Sequence, residues 1–259
     1  MRTTPNIAGR TPWRLGPRDK KWRCFAWCIT SWIALAMGPV TASADDHRTN
    51  SIEGWRVMVS ERLLTQDRVA TERALELLRL QLQEIVRVVP ASAVAKLREV
   101  PLWLAPEHPG VKPTAEYHPD AGWLRENGRD PAMAKGVEFT DVRSFEAETR
   151  RMPNFTLHEL AHSFHDRVLK GGFDNEEIKA AYEHAKASKS YESVERWFGD
   201  GRANTKERAY AMTNRMEYFA ESTEAFFSRN DFFPFTHDEL KQHDPEMEKL
   251  LAKLWGVVK

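Results

Sequence analysis

The residues of this sequence that most clearly suggest chemistry are two histidines and a glutamate in the segment 156–162, which reads TLHELAH. His158 and His162 are four residues apart, so a helix would present both imidazoles on one face, where they can bind one metal ion. Glu159 would then lie beside the open coordination position, where a carboxylate can act as a general base. The apolar residues around them have helical spacing, which favours this interpretation over a chance occurrence of the pattern. The segment predicts a catalytic zinc site.

A catalytic zinc site uses three protein ligands, so a third ligand must come from elsewhere in the chain. His165 would share the helix face of His158, but seven residues of helix rise about 10.5 Å, too far for both to bind one ion. No glycine interrupts the segment between His162 and His165 to bring the ring back. We therefore interpret His165 as a packed histidine, or as one that supports a ligand, and not as a ligand itself.

Two glutamates further along the chain, Glu217 and Glu221, are better candidates. Their spacing puts them on one helix face, next to the apolar residues Phe219 and Ala220. Two carboxylates facing a core are costly unless positive charge meets them, and zinc with its histidines would provide that charge. One carboxylate can bind the metal while the other accepts the N–H of a ligand imidazole. The alternative is a solvated acidic helix face, since Glu224 is also nearby.

The stretch 210–221 reads YAMTNRMEYFAE. Together with the HExxH segment, it resembles the gluzincin metallopeptidases, in particular the catalytic region of the anthrax lethal factor and Pro-Pro endopeptidase group. The resemblance implies that Glu217 is the third zinc ligand, which leaves Glu221 as the supporting carboxylate. It also implies that Tyr210, seven residues before Glu217, faces the metal and donates a hydrogen bond to the oxyanion. Without the resemblance, Tyr210 would be interpreted as a core tyrosine.

The resemblance covers residues 156–227 and implies a zinc metallopeptidase. Glu159 would take a proton from the attacking water and deliver it to the leaving amine. Two alternatives stay open. One is a module in which zinc has only a structural role, although such a site does not need Glu159 and usually has a fourth protein ligand. The other is a cell-envelope binding protein that uses the aromatic segment 232–235 for contacts.

The elements that must position these residues follow from apolar periodicity and from breaker residues. Strands are predicted over residues 55–59, 100–104 and 136–140, and helices over residues 67–89, 154–170, 175–188, 216–228 and 245–255. Strands followed mainly by helices indicate an α+β domain. The resemblance implies a zincin-like fold, in which a small sheet packs beside a mainly helical half that carries the HExxH helix.

Two further segments, one predicted loop and one predicted strand, could take part in function. Residues 105–129 are rich in Pro, Gly and His and are predicted to form a long loop. Its His118 and Trp123 could cover a cleft, although a loop histidine is more often solvated. The strand at 137–140, shortly before the HExxH helix, is the natural sheet edge for an extended peptide to pair with. The alternative for this strand is an interior position.

Residues 1–44 are predicted to be a cleaved secretory signal. The segment is basic at its start, has an apolar run over residues 25–37, and ends in Ala42-Ser43-Ala44, a small-residue cleavage pattern. An uncleaved membrane anchor is the alternative, but the run is shorter than the roughly 20 apolar residues that a bilayer requires. We therefore expect a secreted or periplasmic protein with a single domain over residues 45–259 and no stable membrane insertion.

Charge and cysteine content narrow the choice of partners. Both cysteines, Cys24 and Cys28, lie in the predicted signal, so the rest of the chain has no disulfide and no thiol ligand. The whole chain has a formal net charge of zero, and without residues 1–44 it has 31 Lys and Arg against 37 Asp and Glu. This acidic balance argues against a nucleic acid and leaves a peptide or protein as the expected partner.

Overall fold

The computed structural model describes residues 46–140 and 142–257. The predicted signal, with its cleavage site, lies outside the described residues. Within the described ranges, no helix is long and apolar enough to cross a membrane. The fold is mixed, with many helices and a small sheet that contains parallel and antiparallel strands, so the predicted α+β class is confirmed.

Within residues 46–140 and 142–257, seven strands form two sheets. The strands are β1 (His47–Ile52), β2 (Trp55–Ser60), β3 (Leu102–Ala105), β4 (Ala115–Tyr117), β5 (Val137–Thr140), β6 (Val194–Arg196) and β7 (Thr205–Glu207). The main sheet has the order β1-β2-β3-β5-β4, and β6 and β7 form a separate hairpin. The pairs β2–β3 and β3–β5 are parallel, whereas β1–β2 and β4–β5 are antiparallel.

This strand order corrects the prediction that residues 137–140 form a sheet edge. Strand β5 pairs on both sides, and all four of its residues are buried. Val137 and Phe139 belong to the main hydrophobic core. Glu138, between them, points to the opposite face, where its carboxylate is buried and hydrogen-bonded. The edge next to β5 is formed instead by β4, from the segment predicted to be a loop.

Ten α-helices lie in the described part of the chain. They are α1 (Glu61–Gln66), α2 (Arg68–Val88), α3 (Ala91–Leu97), α4 (Ala121–Glu126), α5 (Phe145–Arg151), α6 (Phe155–Arg167), α7 (Glu176–Ser188), α8 (Arg215–Phe227), α9 (His237–His243) and α10 (Pro245–Trp255). Helices α2, α6, α7, α8 and α10 lie where apolar periodicity predicts them. Helix α4 begins inside the predicted loop, where the side chain of Asp120 caps it by accepting from the N–H of Trp123.

Helix α6, which carries the HExxH segment, packs against α8, α2 and the edge strand β4. Aromatic rings join its first residue to the sheet, because Phe155 lies 5.9 Å from Phe139 of β5 and 4.8 Å from Phe145 of α5, measured between ring centroids. Near its other end, Phe164 stacks on Trp255 of α10 at 4.0 Å. The largest hydrophobic cluster thus joins the sheet to the helices on either side of the HExxH residues.

Candidate metal centre

The three predicted metal ligands meet between α6 and α8. Oε2 of Glu217 lies 3.1 Å from Nε2 of His158 and 3.4 Å from Nε2 of His162. A tetrahedral zinc ion with bonds of about 2.1 Å holds its ligand atoms about 3.4 Å apart. Both distances to Glu217 are close to that spacing, and the ligand atoms of all three residues lie within 4.8 Å of one another. These residues form one of two groups in the described chain that could hold a metal ion.

Two asparagine caps set where the ligand helices begin. The side-chain oxygen of Asn154 accepts from the N–H of Leu157, and its amide nitrogen donates to the carbonyl of Gln81 in α2. Asn214 caps α8 by accepting from the N–H groups of Met216 and Glu217. A capped first turn orients the residues that follow it. The cap of α8 therefore fixes the turn that carries Glu217.

The carboxylate that is hydrogen-bonded to Nδ1 of His158 belongs to Glu224. The sequence analysis expected Glu221 in this position. Nδ1 of His158 lies 2.8 Å from Oε2 of Glu224 but 3.9 Å from Oε1 of Glu221. The reason is geometric: Nδ1 and Nε2 are on opposite sides of the imidazole, so their partners lie about two turns apart on α8. The bond to Glu224 directs Nε2 of His158 towards Glu217 and His162.

Glu221 and Glu224 belong to a buried group of acids behind His158. The Asn230 amide donates to Oε2 of Glu221 at 3.1 Å, and Asp231 forms an ion pair with Arg151. Burial raises the pKa of Glu221 well above its usual range, and it raises the pKa of Glu224 to about 7. Sequence reasoning gave the supporting position to Glu221 and assigned no role to Glu224, although the spacing of Glu224 from Glu217 by seven residues was a visible signal.

The candidate base, Glu159, is in contact with the edge of the main sheet. Its Oε2 accepts a hydrogen bond of 2.8 Å from the main-chain N–H of Tyr117 in β4. Burial raises the pKa of Glu159, while the neighbouring His158 and His162 oppose that rise. Among the ligands, the two histidines hold the pKa of Glu217 below its usual range in spite of burial. Glu217 is thus ionised and available to a cation, whereas burial holds the pKa of Glu159 above its usual value.

Tyr210 lies in the turn of 3-10 helix Tyr210–Thr213, directly before α8, and is 37% exposed. Burial of part of the phenol raises its pKa to about 12, and the charges of Glu217, His158 and Glu159 also affect it. The turn that contains Tyr210 leads directly into α8, the helix that carries Glu217. Because its pKa is raised, the hydroxyl keeps its proton near neutral pH and can act as a hydrogen-bond donor.

The remaining histidines from the sequence analysis do not join the ligands. His165 is buried between Phe173 and Phe219, and neither of its ring nitrogens has a hydrogen-bond partner within the described ranges. Burial lowers its pKa to about 3, as expected for a packed, neutral ring. His118 is also buried, stacked on Trp123 and bonded to Glu138 at 2.8 Å, so the expectation of a solvated loop histidine is wrong.

No protein-family model, curated protein or solved structure matches this chain. The assignment of a class to the site therefore depends on the chemistry and geometry of its own residues.

Proposed function

We propose that this chain is a zinc-dependent metallopeptidase of the gluzincin type, with a zincin-like fold. The observation that carries the proposal is the convergence of Nε2 of His158, Nε2 of His162 and a carboxylate oxygen of Glu217 at 3.1–3.4 Å. A carboxylate that is not needed as a ligand, Glu159, lies in the same helix between the two histidines. A site built only for structure would not require that residue.

Zinc held by these three ligands would supply a Lewis acid that lowers the pKa of a water molecule and polarises the scissile carbonyl. Glu159 would accept the proton of the attacking water and pass it to the leaving amine. Its Oε2 is bonded to Tyr117, so Oε1 would carry the proton. Tyr210 would donate a hydrogen bond to the oxyanion, since its phenol remains protonated near neutral pH.

The edge strand β4 supports a peptide as the substrate. It pairs with β5 on one side only, and an extended peptide can add to such an edge through main-chain hydrogen bonds. Because alternate residues of a strand direct their N–H and C=O groups to opposite sides, Ala115 directs its groups away from β5, as Tyr117 does. A peptide paired there would lie beside α6 and the metal ligands. With a cleaved signal, the enzyme would act outside the cytoplasm, in the periplasm or the medium.

The test is to measure the zinc content of the purified protein and its hydrolysis of a peptide library, with and without a chelator. We expect about one zinc per chain, cleavage that the chelator abolishes, and recovery when zinc is returned. Bound zinc without cleavage of any peptide would overturn the peptidase proposal in favour of a structural zinc site. Cleavage that is insensitive to chelators would overturn the metal proposal.

A further inference from the structure

Strand β4 is held in place by side chains as well as by main-chain pairing. It has three residues and a single neighbouring strand, so pairing alone would fix it weakly. Its last two residues and the one that follows are each anchored by a polar contact, on alternating faces. Glu116 binds Arg129 at 2.7 Å, Tyr117 binds Asp166 at 2.7 Å, and His118 binds Glu138 at 2.8 Å.

The anchor on the α6 side connects one residue to two points of the HExxH helix. The Tyr117 hydroxyl donates to Oδ2 of Asp166, and the main-chain N–H of the same residue donates to Oε2 of Glu159. Asp166 lies seven residues, or about two turns, after Glu159 on the same side of the helix. Lys135 also binds Asp166, at 2.6 Å. The phenol is buried, and burial together with Asp166 raises its pKa, so it remains a donor.

The anchor on the opposite face of the sheet is an ion-pair network centred on Glu138. This carboxylate is 1% exposed and is bonded to His108, His118 and Arg129. The Arg129 guanidinium also reaches Glu116 of β4. Because Arg129 already supplies a positive charge to both carboxylates, the cluster is suited to hold β4 against β5 and not to bind a metal ion.

We propose that Tyr117 is a positioning residue for Glu159: its hydroxyl, anchored on Asp166, fixes the main-chain N–H that holds one oxygen of the Glu159 carboxylate. The other oxygen then faces the site in a single orientation. The proposal rests on the proposed peptidase function for its catalytic consequence, but the anchoring itself can be measured without activity.

The experiment compares Tyr117→Phe, Asp166→Asn and the double variant with wild type. Tyr191→Phe is the matched control, because it also removes a buried phenol-to-carboxylate hydrogen bond, to Asp244, and Tyr218 still binds that carboxylate. Hydrogen exchange of the Tyr117 amide is measured in zinc-free protein, and kcat, KM and zinc content are measured in the zinc-loaded protein.

We expect the Tyr117 amide to exchange about tenfold faster in Tyr117→Phe and Asp166→Asn, and equally fast in the double variant, because all three lose the same bond. We expect kcat to fall about tenfold while KM and zinc content stay within twofold, as when a catalytic group is misplaced. The control should match wild type in each measurement. If Tyr117→Phe does not fold, Asp166→Asn leaves the tyrosine ring in place and tests the same bond.

Wild-type amide protection in both single variants would overturn the anchoring. Faster exchange with unchanged kcat in an active enzyme would overturn the positioning role. If wild-type protein loaded with zinc cleaves no peptide, the proposed function fails, while the amide exchange still decides whether Asp166 fixes the Tyr117 N–H.

Discussion

Nδ1 of His158 lies 2.8 Å from the buried carboxylate of Glu224, on the side of the ring opposite the candidate metal position. This contact connects the HExxH helix α6 to α8, which carries Glu217. A carboxylate in that position orients the ring and increases the basicity of the nitrogen that faces the metal. If zinc binds as proposed, Glu224 should therefore influence its affinity separately from the proposed ligand Glu217.

Replacing each of the three glutamates of α8 by alanine should weaken zinc binding to a different extent. Glu217→Ala removes a ligand and should weaken zinc binding more than 100-fold, because loss of a supporting residue typically costs 10- to 100-fold. Glu224→Ala should fall within that range, and Glu221→Ala should have a smaller effect, since Glu221 lies 3.9 Å from His158. Competition with a chromogenic chelator measures each affinity.

The control for this series is Glu224→Gln, whose amide oxygen can still accept a hydrogen bond from His158 and which should bind zinc more tightly than Glu224→Ala. A larger loss in Glu221→Ala than in Glu224→Ala would contradict the assignment of the supporting role to Glu224. Circular dichroism of each variant shows whether the helices remain intact.

Replacing Glu159 by Gln should leave zinc content and thermal stability close to wild type and abolish hydrolysis. The amide keeps the size of the side chain but cannot accept a proton from water. Zinc analysis and peptide turnover on the same sample separate the two effects. Turnover within tenfold of wild type would exclude Glu159 as the base.

Tyr210→Phe should lower kcat by about 10²- to 10³-fold, the usual effect of removing an oxyanion donor. KM for a short peptide should change much less, because the bond strengthens only as charge develops on the carbonyl oxygen. Zinc content and stability should hardly change, since the ring is retained and is 37% exposed. Unchanged kcat would show that Tyr210 has no catalytic role and would weaken the resemblance to the lethal factor group.

Glu138 should make the stability of the fold sensitive to acid. Although burial opposes ionisation, hydrogen bonds from His108 and His118 lower the pKa of Glu138 from 4.5 to about 2. A lowered pKa in the folded state contributes stability above pH 4.5, and this contribution is lost as the pH falls to about 2. Its magnitude is up to about 3 kcal/mol. Glu138→Gln should therefore lack this part of the acid dependence.

Urea unfolding of wild type and Glu138→Gln at several pH values between 7 and 2 measures the difference in free energy of unfolding. The difference should be largest above pH 4.5 and should shrink towards pH 2. Glu126→Gln, at an exposed position of α4, is the control and should give a small difference at every pH. A constant difference between wild type and Glu138→Gln would show that the Glu138 carboxylate is not stabilised in its ionised form.

Local patterns in the sequence determined much of the candidate site. The spacing of His158 and His162 predicts a shared helix face from helix geometry alone, and the structure brings both to Glu217. The helices that carry these residues also lie where apolar periodicity predicts them. The packing of His165 followed from the rise of a helix per residue. Each of these inferences depends on residues a few positions apart, for which backbone geometry is sufficient.

Only the tertiary structure decided which strand forms the sheet edge and which carboxylate supports His158. Strand order depends on contacts between segments far apart in the chain, so the periodicity of residues 137–140 could not distinguish an edge from an interior strand. The choice of Glu224 over Glu221 depends on how α8 packs against α6, since both residues are on the side of α8 that faces His158. The burial of His118 depends in the same way on Glu138, which is 20 residues further along the chain. Packing over such distances selects among arrangements that local spacing leaves equally possible.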